Sequence, residues 1–165
     1  HTWANLEFSS NFESSVEHIS IIYHLLLGLQ LPPQCSQYMT MSSSTRKFSY
    51  FNNDETQCDY SYTNSNNRED WSGPGWYRVM GGAGTQLSSH AFTDWTSGYC
   101  KTSVGGWITG GHLQSTTPGQ ILNRKIKFYR LSTSYDHWIS VTNCDGFFVY
   151  DLPDIGGCSF RYCTQ

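Results

Sequence analysis

The chain has 165 residues and a formal net charge of −3, and only 14% of its residues are charged while 16% are aromatic. The length suits one domain with a full hydrophobic core, and the charge balance supplies no basic footprint for nucleic acid. Six cysteines, none in a C-x-x-C pair, argue against zinc or thioredoxin-like chemistry and for three disulfides made in an oxidising compartment.

The chain begins at His1, as expected of a secreted protein whose signal peptide has been removed. The first patterned segment is "ISIIYHLLLGLQL" (19–31). Apolar residues at 19, 21, 23, 25, 27, 29 and 31 read as a half-buried strand. Ser14 and Glu17 form a capping-box pattern, and Gly28 with Pro32-Pro33 is a helix stop, so a helix over 17–31 stays open. The β-branched Ile19, Ile21 and Ile22 favour the strand. The run is too short to insert in a membrane. Its excess of apolar surface points to core or to a subunit interface, and a symmetric homodimer is expected.

"MTMSSSTRK" (39–47) is Ser-rich but too short for a domain linker. Beyond it come "KFSYF" (47–51), "GWYRVM" (75–80), "GWITG" (106–110), "KIKFYRL" (125–131), "HWISVTNC" (137–144) and "GFFVYDL" (146–152). These short aromatic and β-branched runs, separated by turn residues, predict a mainly β protein: one compact antiparallel domain. Asp145-Gly146 predicts a hairpin between the last two. "NRKIKFYR" (123–130), the sole basic cluster, alternates charged and apolar residues. It reads as the solvated face of a strand, with an anionic partner as the alternative.

The loops carry the candidate chemistry. A sugar site needs planar hydrogen-bonding groups for hydroxyls and an aromatic face for the C–H patch of the ring, and a calcium-assisted one needs six to eight oxygens. "NSNNREDW" (64–71) offers Asn66, Asn67, Glu69 and Asp70 as calcium ligands and Trp71 as an exposed platform; the alternative is a solvated turn. "FNNDETQCD" (51–59) adds Asn53, Asp54, Glu55 and Asp59. Trp107, with His112 and Gln114 at alternate positions, is a second carbohydrate-binding candidate, and Trp95 could join it. Trp76 and Trp107 can equally be core residues. Asp136 and His137 fall on an expected loop, and Asp145, Asp151 and Asp154 read as turn residues. No G-x-S-x-G, H-E-x-x-H or phosphate-loop motif is present, so no enzyme activity is expected.

"GWYR" (75–78), the Cys100-to-Trp107 segment, "TNCDGFFVYDL" (142–152) and "CSFRYCT" (158–164) resemble the eight-cysteine domain of uromodulin and the related pancreatic zymogen-granule glycoprotein. The resemblance covers residues 35–165, leaving 1–34 as an N-terminal extension of a single domain. Family pairing of the retained cysteines implies Cys35–Cys144, Cys58–Cys158 and Cys100–Cys163. In size, N-terminal extension and Trp-, Asn- and Gly-rich loops, the whole chain is also similar to the small galactose-binding lectins of sea anemones. That similarity implies a secreted homodimeric lectin that binds terminal β-galactose on glycans through Ca²⁺. The alternative function is a non-catalytic extracellular protein-interaction module.

Overall fold

A computed structural model of the protein describes residues 30–92, 98–111, 116–130 and 133–165. The strand-or-helix question over 17–29, most of the proposed interface run, Trp95, His112 and Gln114 lie outside the described residues. Pro32–Gln165 packs as one compact unit.

Seven strands build one curled sheet: β1 (Met39–Met41), β2 (Gly75–Val79), β3 (Val104–Ile108), β4 (Ile121–Arg130), β5 (Thr133–Asn143), β6 (Phe148–Leu152) and β7 (Phe160–Tyr162). Their order across the sheet is β1-β2-β6-β5-β4-β3-β7. The five central strands are antiparallel, and each edge carries a short parallel strand, β1 beside β2 and β7 beside β3. The expected runs at 75–80, 106–110, 125–131, 137–144 and 146–152 therefore correspond to β2 through β6. "KFSYF" does not form a strand: Lys47 and Phe51 make only isolated bridges. Its Phe48 instead stacks on His90, with ring centres 4.6 Å apart, and packs on Phe92.

The β5–β6 hairpin turns at Asp145 and Gly146, whose φ values of 55° and 102° are the positive pair that an Asp-Gly turn accommodates. Cys144 N donates to Phe147 O across it at 2.8 Å. Alternation along the strands sorts the side chains. Met41, Tyr77, Val79, Tyr150, Leu152, Val141, Ile139, Ile126, Phe128, Val104, Ile108 and Tyr162 share one face and form the main core. Two adjacent glycines in β3 let it close up: a Cβ on Gly106 would lie 2.3 Å from the Phe128 ring, and one on Gly105 would lie 2.6 Å from the Cys163 sulfur.

Among the described residues the opposite face is covered at the β3–β7 edge and again over β2 and the C-terminal end of β5, and open between them. At the β3–β7 end Trp107, Phe92, Cys100 and Cys163 form a second apolar cluster. At the other end Gln34 Nε2 donates to the buried Thr142 hydroxyl at 3.0 Å. Nearby, the Arg78 guanidinium lies 3.8 Å over Phe147 and donates to the Tyr38 hydroxyl.

The disulfides are Cys35–Cys144, Cys58–Cys158 and Cys100–Cys163, with Cα separations of 5.4, 5.0 and 5.8 Å, so the pairing implied by the family resemblance is the one found.

Candidate functional site

Ser65–Asn67 forms a short 3-10 turn, and its asparagines serve through backbone: Asn67 O accepts from Cys58 N at 2.8 Å and Asn66 O from the Gln57 side chain at 2.9 Å. Glu69 and Asp70 then turn towards the protein rather than the solvent. Asp70 Oδ2 accepts from the backbone N–H groups of Ser42 and Ser43, and Oδ1 from Arg46 Nε. Glu69 Oε2 accepts from the Ser43 and Thr45 hydroxyls, each at 2.6 Å, and from Arg161 Nη2 at 2.8 Å, while Oε1 faces Lys101 Nζ at 3.4 Å.

Behind them lies Asp59, wholly buried and gripped by both terminal nitrogens of Arg46 at 2.7 and 2.8 Å; it also accepts from Tyr162 N. Three carboxylates are thus matched by Arg46, Arg161 and Lys101. Burial would raise the Glu69 carboxyl, but the Ser43 and Thr45 hydrogen bonds and the Arg161 charge outweigh it and hold the group down at about 2. For Asp70 burial acts the same way, and the Arg46 charge and the Ser43 N–H overcome it, so its pKa is lowered. Burial, seconded by the Arg46 charge, brings Arg161 down to about 10.

The expected calcium ligands do not fit a calcium ion. Each carboxylate oxygen of Glu69 and Asp70 already faces a cation or an N–H or O–H donor, so an ion would have to displace Arg161 and Lys101 from Glu69 and Arg46 from Asp70. Nor do the described residues bring three His, Cys, Asp or Glu side chains together in a metal-holding group. Trp71 is likewise not a platform. It is 3% exposed, stacks on Tyr77 at 4.9 Å with the planes 9° apart, and donates Nε1–H to Asp154 Oδ1. Its stacked face and its polar edge are used internally, and the Tyr162 ring packs against it as well.

Trp107 belongs to the second apolar cluster, 6% exposed and edge-on to Phe92, the core alternative raised for it. Asp54 lies 3.7 Å from Lys101, and Asp59 is the buried partner of Arg46, while Asn53 and Glu55 are exposed. Asp136 and His137 sit in β5 rather than in a loop: Asp136 pairs with Lys125 at 3.1 Å, and His137 is half-buried against the edge of Phe128. Asp145 is a turn residue, and Asp154 accepts from Ser61 N. Asp151, read as a turn residue, lies in β6 instead.

A different set of residues converges on the open middle of the outer face. Trp138 stands in β5 with 68% of its surface exposed. Directly across β4 is Lys125, whose Nζ lies 5.1 Å from the indole centre, and one step along are Ser140 and its partners Asn123 and Asp151. A hollow of about 430 Å³ is bordered by Trp138, Asn123, Ser140 and Asp151, with Pro74 and Pro153 at its rim. Because Trp138 and Asp151 rise from hydrogen-bonded strands, their positions are fixed by the sheet. The signal was present in β5: Tyr135, His137, Ile139 and Val141 alternate with Asp136, Trp138, Ser140 and Thr142, which places a lone tryptophan on the polar side.

A curled β-sheet stapled by three disulfides is an architecture typical of extracellular proteins. Residues 77–164, more than half of the chain, match the family model of the uromodulin-like domain, and the chain belongs to that family. No curated protein matches the chain, so the likeness to sea-anemone lectins gains no support from known relatives. The family and the disulfides make this an extracellular module of the interaction type. No helix among the described residues is long and apolar enough to cross a membrane.

Proposed function

We propose that the protein is a secreted, non-catalytic glycan-binding module whose sugar site is the Trp138 face, with terminal β-galactose as the ligand. The observation that carries this reading is the 68% exposed indole of Trp138, held in a strand beside a polar hollow. Leaving an indole in water is unfavourable unless something covers it, and a sugar offers both halves of the match. The C–H face of galactose, made continuous by its axial O4, packs on the ring. Its hydroxyls meet the Asn123 amide, the Ser140 hydroxyl and the Asp151 carboxylate, which together supply donors and acceptors.

One shallow site binds weakly, and presenting two in a homodimer raises avidity without any new contact. The apolar run at 19–31 remains the proposed interface, and sedimentation at micromolar concentration tests it, a monomer ruling it out.

Calorimetric titration with lactose tests the site. Wild-type protein is expected to bind, and Trp138→Ala to lose binding with an unchanged circular dichroism spectrum. A chelator arm tests the calcium expected from the lectin likeness: binding at the Trp138 face is expected to be undiminished in excess chelator, and its loss would bring a cation back into the site. Failure of the intact protein to bind lactose removes the glycan reading and favours the second one, a protein partner docking on the same face, which the family assignment supports.

A further inference from the structure

The galactose reading uses Asn123, Ser140 and Asp151 beside Trp138 and leaves the Lys125 and Lys127 side of the indole unexplained. There a second hollow, about 610 Å³, is lined by Trp138, Lys125, Lys127, Arg124, Thr109 and Gly110, among others. Gly110 borders it, and among the described residues nothing lies within 4 Å of where a Cβ there would be. The chain as a whole is acidic, with 13 Asp and Glu against 10 Lys and Arg, yet three cations fall within four consecutive residues of β4. Among the described residues Lys125 has one carboxylate partner, Asp136 at 3.1 Å, which is also the cross-strand neighbour of Lys127, and neither Arg124 nor Lys127 has a carboxylate within ion-pair distance. Lys125 and Lys127 are two apart on a strand, so both lie on the Trp138 face.

Resting on the galactose reading, we infer that the glycan bound here is acidic, carrying a sulfate ester on the terminal galactose that sits against Lys125 and Lys127 while the sugar ring lies on Trp138. The geometry supports this because Lys125 Nζ lies over the indole, 5.1 Å from its centre, and so borders whatever covers the ring. A sulfate ester stays fully charged at any physiological pH and offers three oxygens, enough for two ammonium groups to share. Lysine suits the task as a compact cation with three rotatable donors. Asp136, across the sheet from Lys127 and paired with Lys125, offsets one of these charges, so the half-buried basic stretch of β4 keeps a cationic excess for an anionic substituent to meet.

The experiment compares lactose, lactose 3′-sulfate and 3′-sialyllactose by calorimetry, at low salt and at high salt, with wild type and Lys125→Gln/Lys127→Gln. At low salt the sulfate is expected to bind about five- to tenfold more tightly than lactose, as two partly exposed ion pairs would provide. That preference shrinks towards one at about 1 M salt, where the screening length is roughly 3 Å, and is lost in the double variant at any salt. Lactose binding with no sulfate preference, or a preference intact in the double variant, overturns this inference and leaves the galactose reading standing. Sialyllactose binding as tightly as the sulfate overturns the assignment to a sulfate ester. No binding of any of the three overturns both.

Discussion

Arg46 and Asp59 meet in a bidentate ion pair in which neither side chain has any exposed surface. Removing one partner of such a pair leaves an uncompensated charge where water cannot reach. Asp59→Asn is expected to destabilise the protein by about 3–5 kcal/mol in urea denaturation. It also weakens the acceptor for Tyr162 N, which ties β7 to this centre. A loss below about 1 kcal/mol would show that the pair does not hold the loops together.

The acid limb of stability should report the loop directly. The folded Glu69 carboxyl lies at about 2 against an ordinary 4.5, and Asp70 is lowered as well. A group depressed on folding stabilises the protein fully above its unfolded pKa, and that contribution fades as pH falls through the folded value. Tm is therefore expected to drop between pH 4.5 and 2. Glu69→Gln should lower Tm at neutral pH and flatten this part of the profile. An equally steep acid limb in the variant would contradict the assignment.

Much of this arrangement was legible in the chain, and the exceptions share a cause. β2 to β6 announce themselves because aromatic and β-branched residues recur within each run and turn residues bound it. β1 and β7 are three residues each, too short for a period to show, and exist because longer neighbours offer them hydrogen bonds. The acids beside Trp71 looked solvent-exposed because their loop is Asn, Ser, Gly and Pro. Their partners lie 24 residues back at Arg46 and 92 residues on at Arg161, distances at which local sequence carries no signal. Trp138 was missed because Asp136 and His137 read as a loop, although the alternation along β5 carried its signal.

Two tryptophans should separate stability from binding. Trp71 is buried against Tyr77 and Tyr162, so Trp71→Ala is expected to cost about 3–5 kcal/mol. Trp138 is 68% exposed, and Trp138→Ala is expected to change stability by about 0.5 kcal/mol or less. Thermal and urea unfolding of both variants measures the contrast. Equal losses would mean that Trp138 is a structural residue rather than a platform.

Gly106 offers a test of how tightly β3 is packed. An added methyl would sit 2.3 Å from the Phe128 ring, and the ring is itself enclosed in the core. Gly106→Ala should therefore destabilise by about 1–3 kcal/mol through overpacking, despite the better strand propensity of alanine. Pairing it with Phe128→Leu should recover part of the loss, and a neutral Gly106→Ala would show that the strand has room to move.

The disulfides join residues 109, 100 and 63 positions apart, and their spans overlap. Any single backbone cut between Cys35 and Cys144 falls inside at least one covalent ring, and a cut between Cys58 and Cys144 falls inside two or more. A protease that nicks an outer loop therefore produces two pieces that cannot drift apart. The clipped molecule keeps the mass of the whole plus one water, and the break becomes visible on a gel only after a reductant opens the rings. For a module working among extracellular proteases, such damage is local: a severed loop stays tethered beside the sheet it came from.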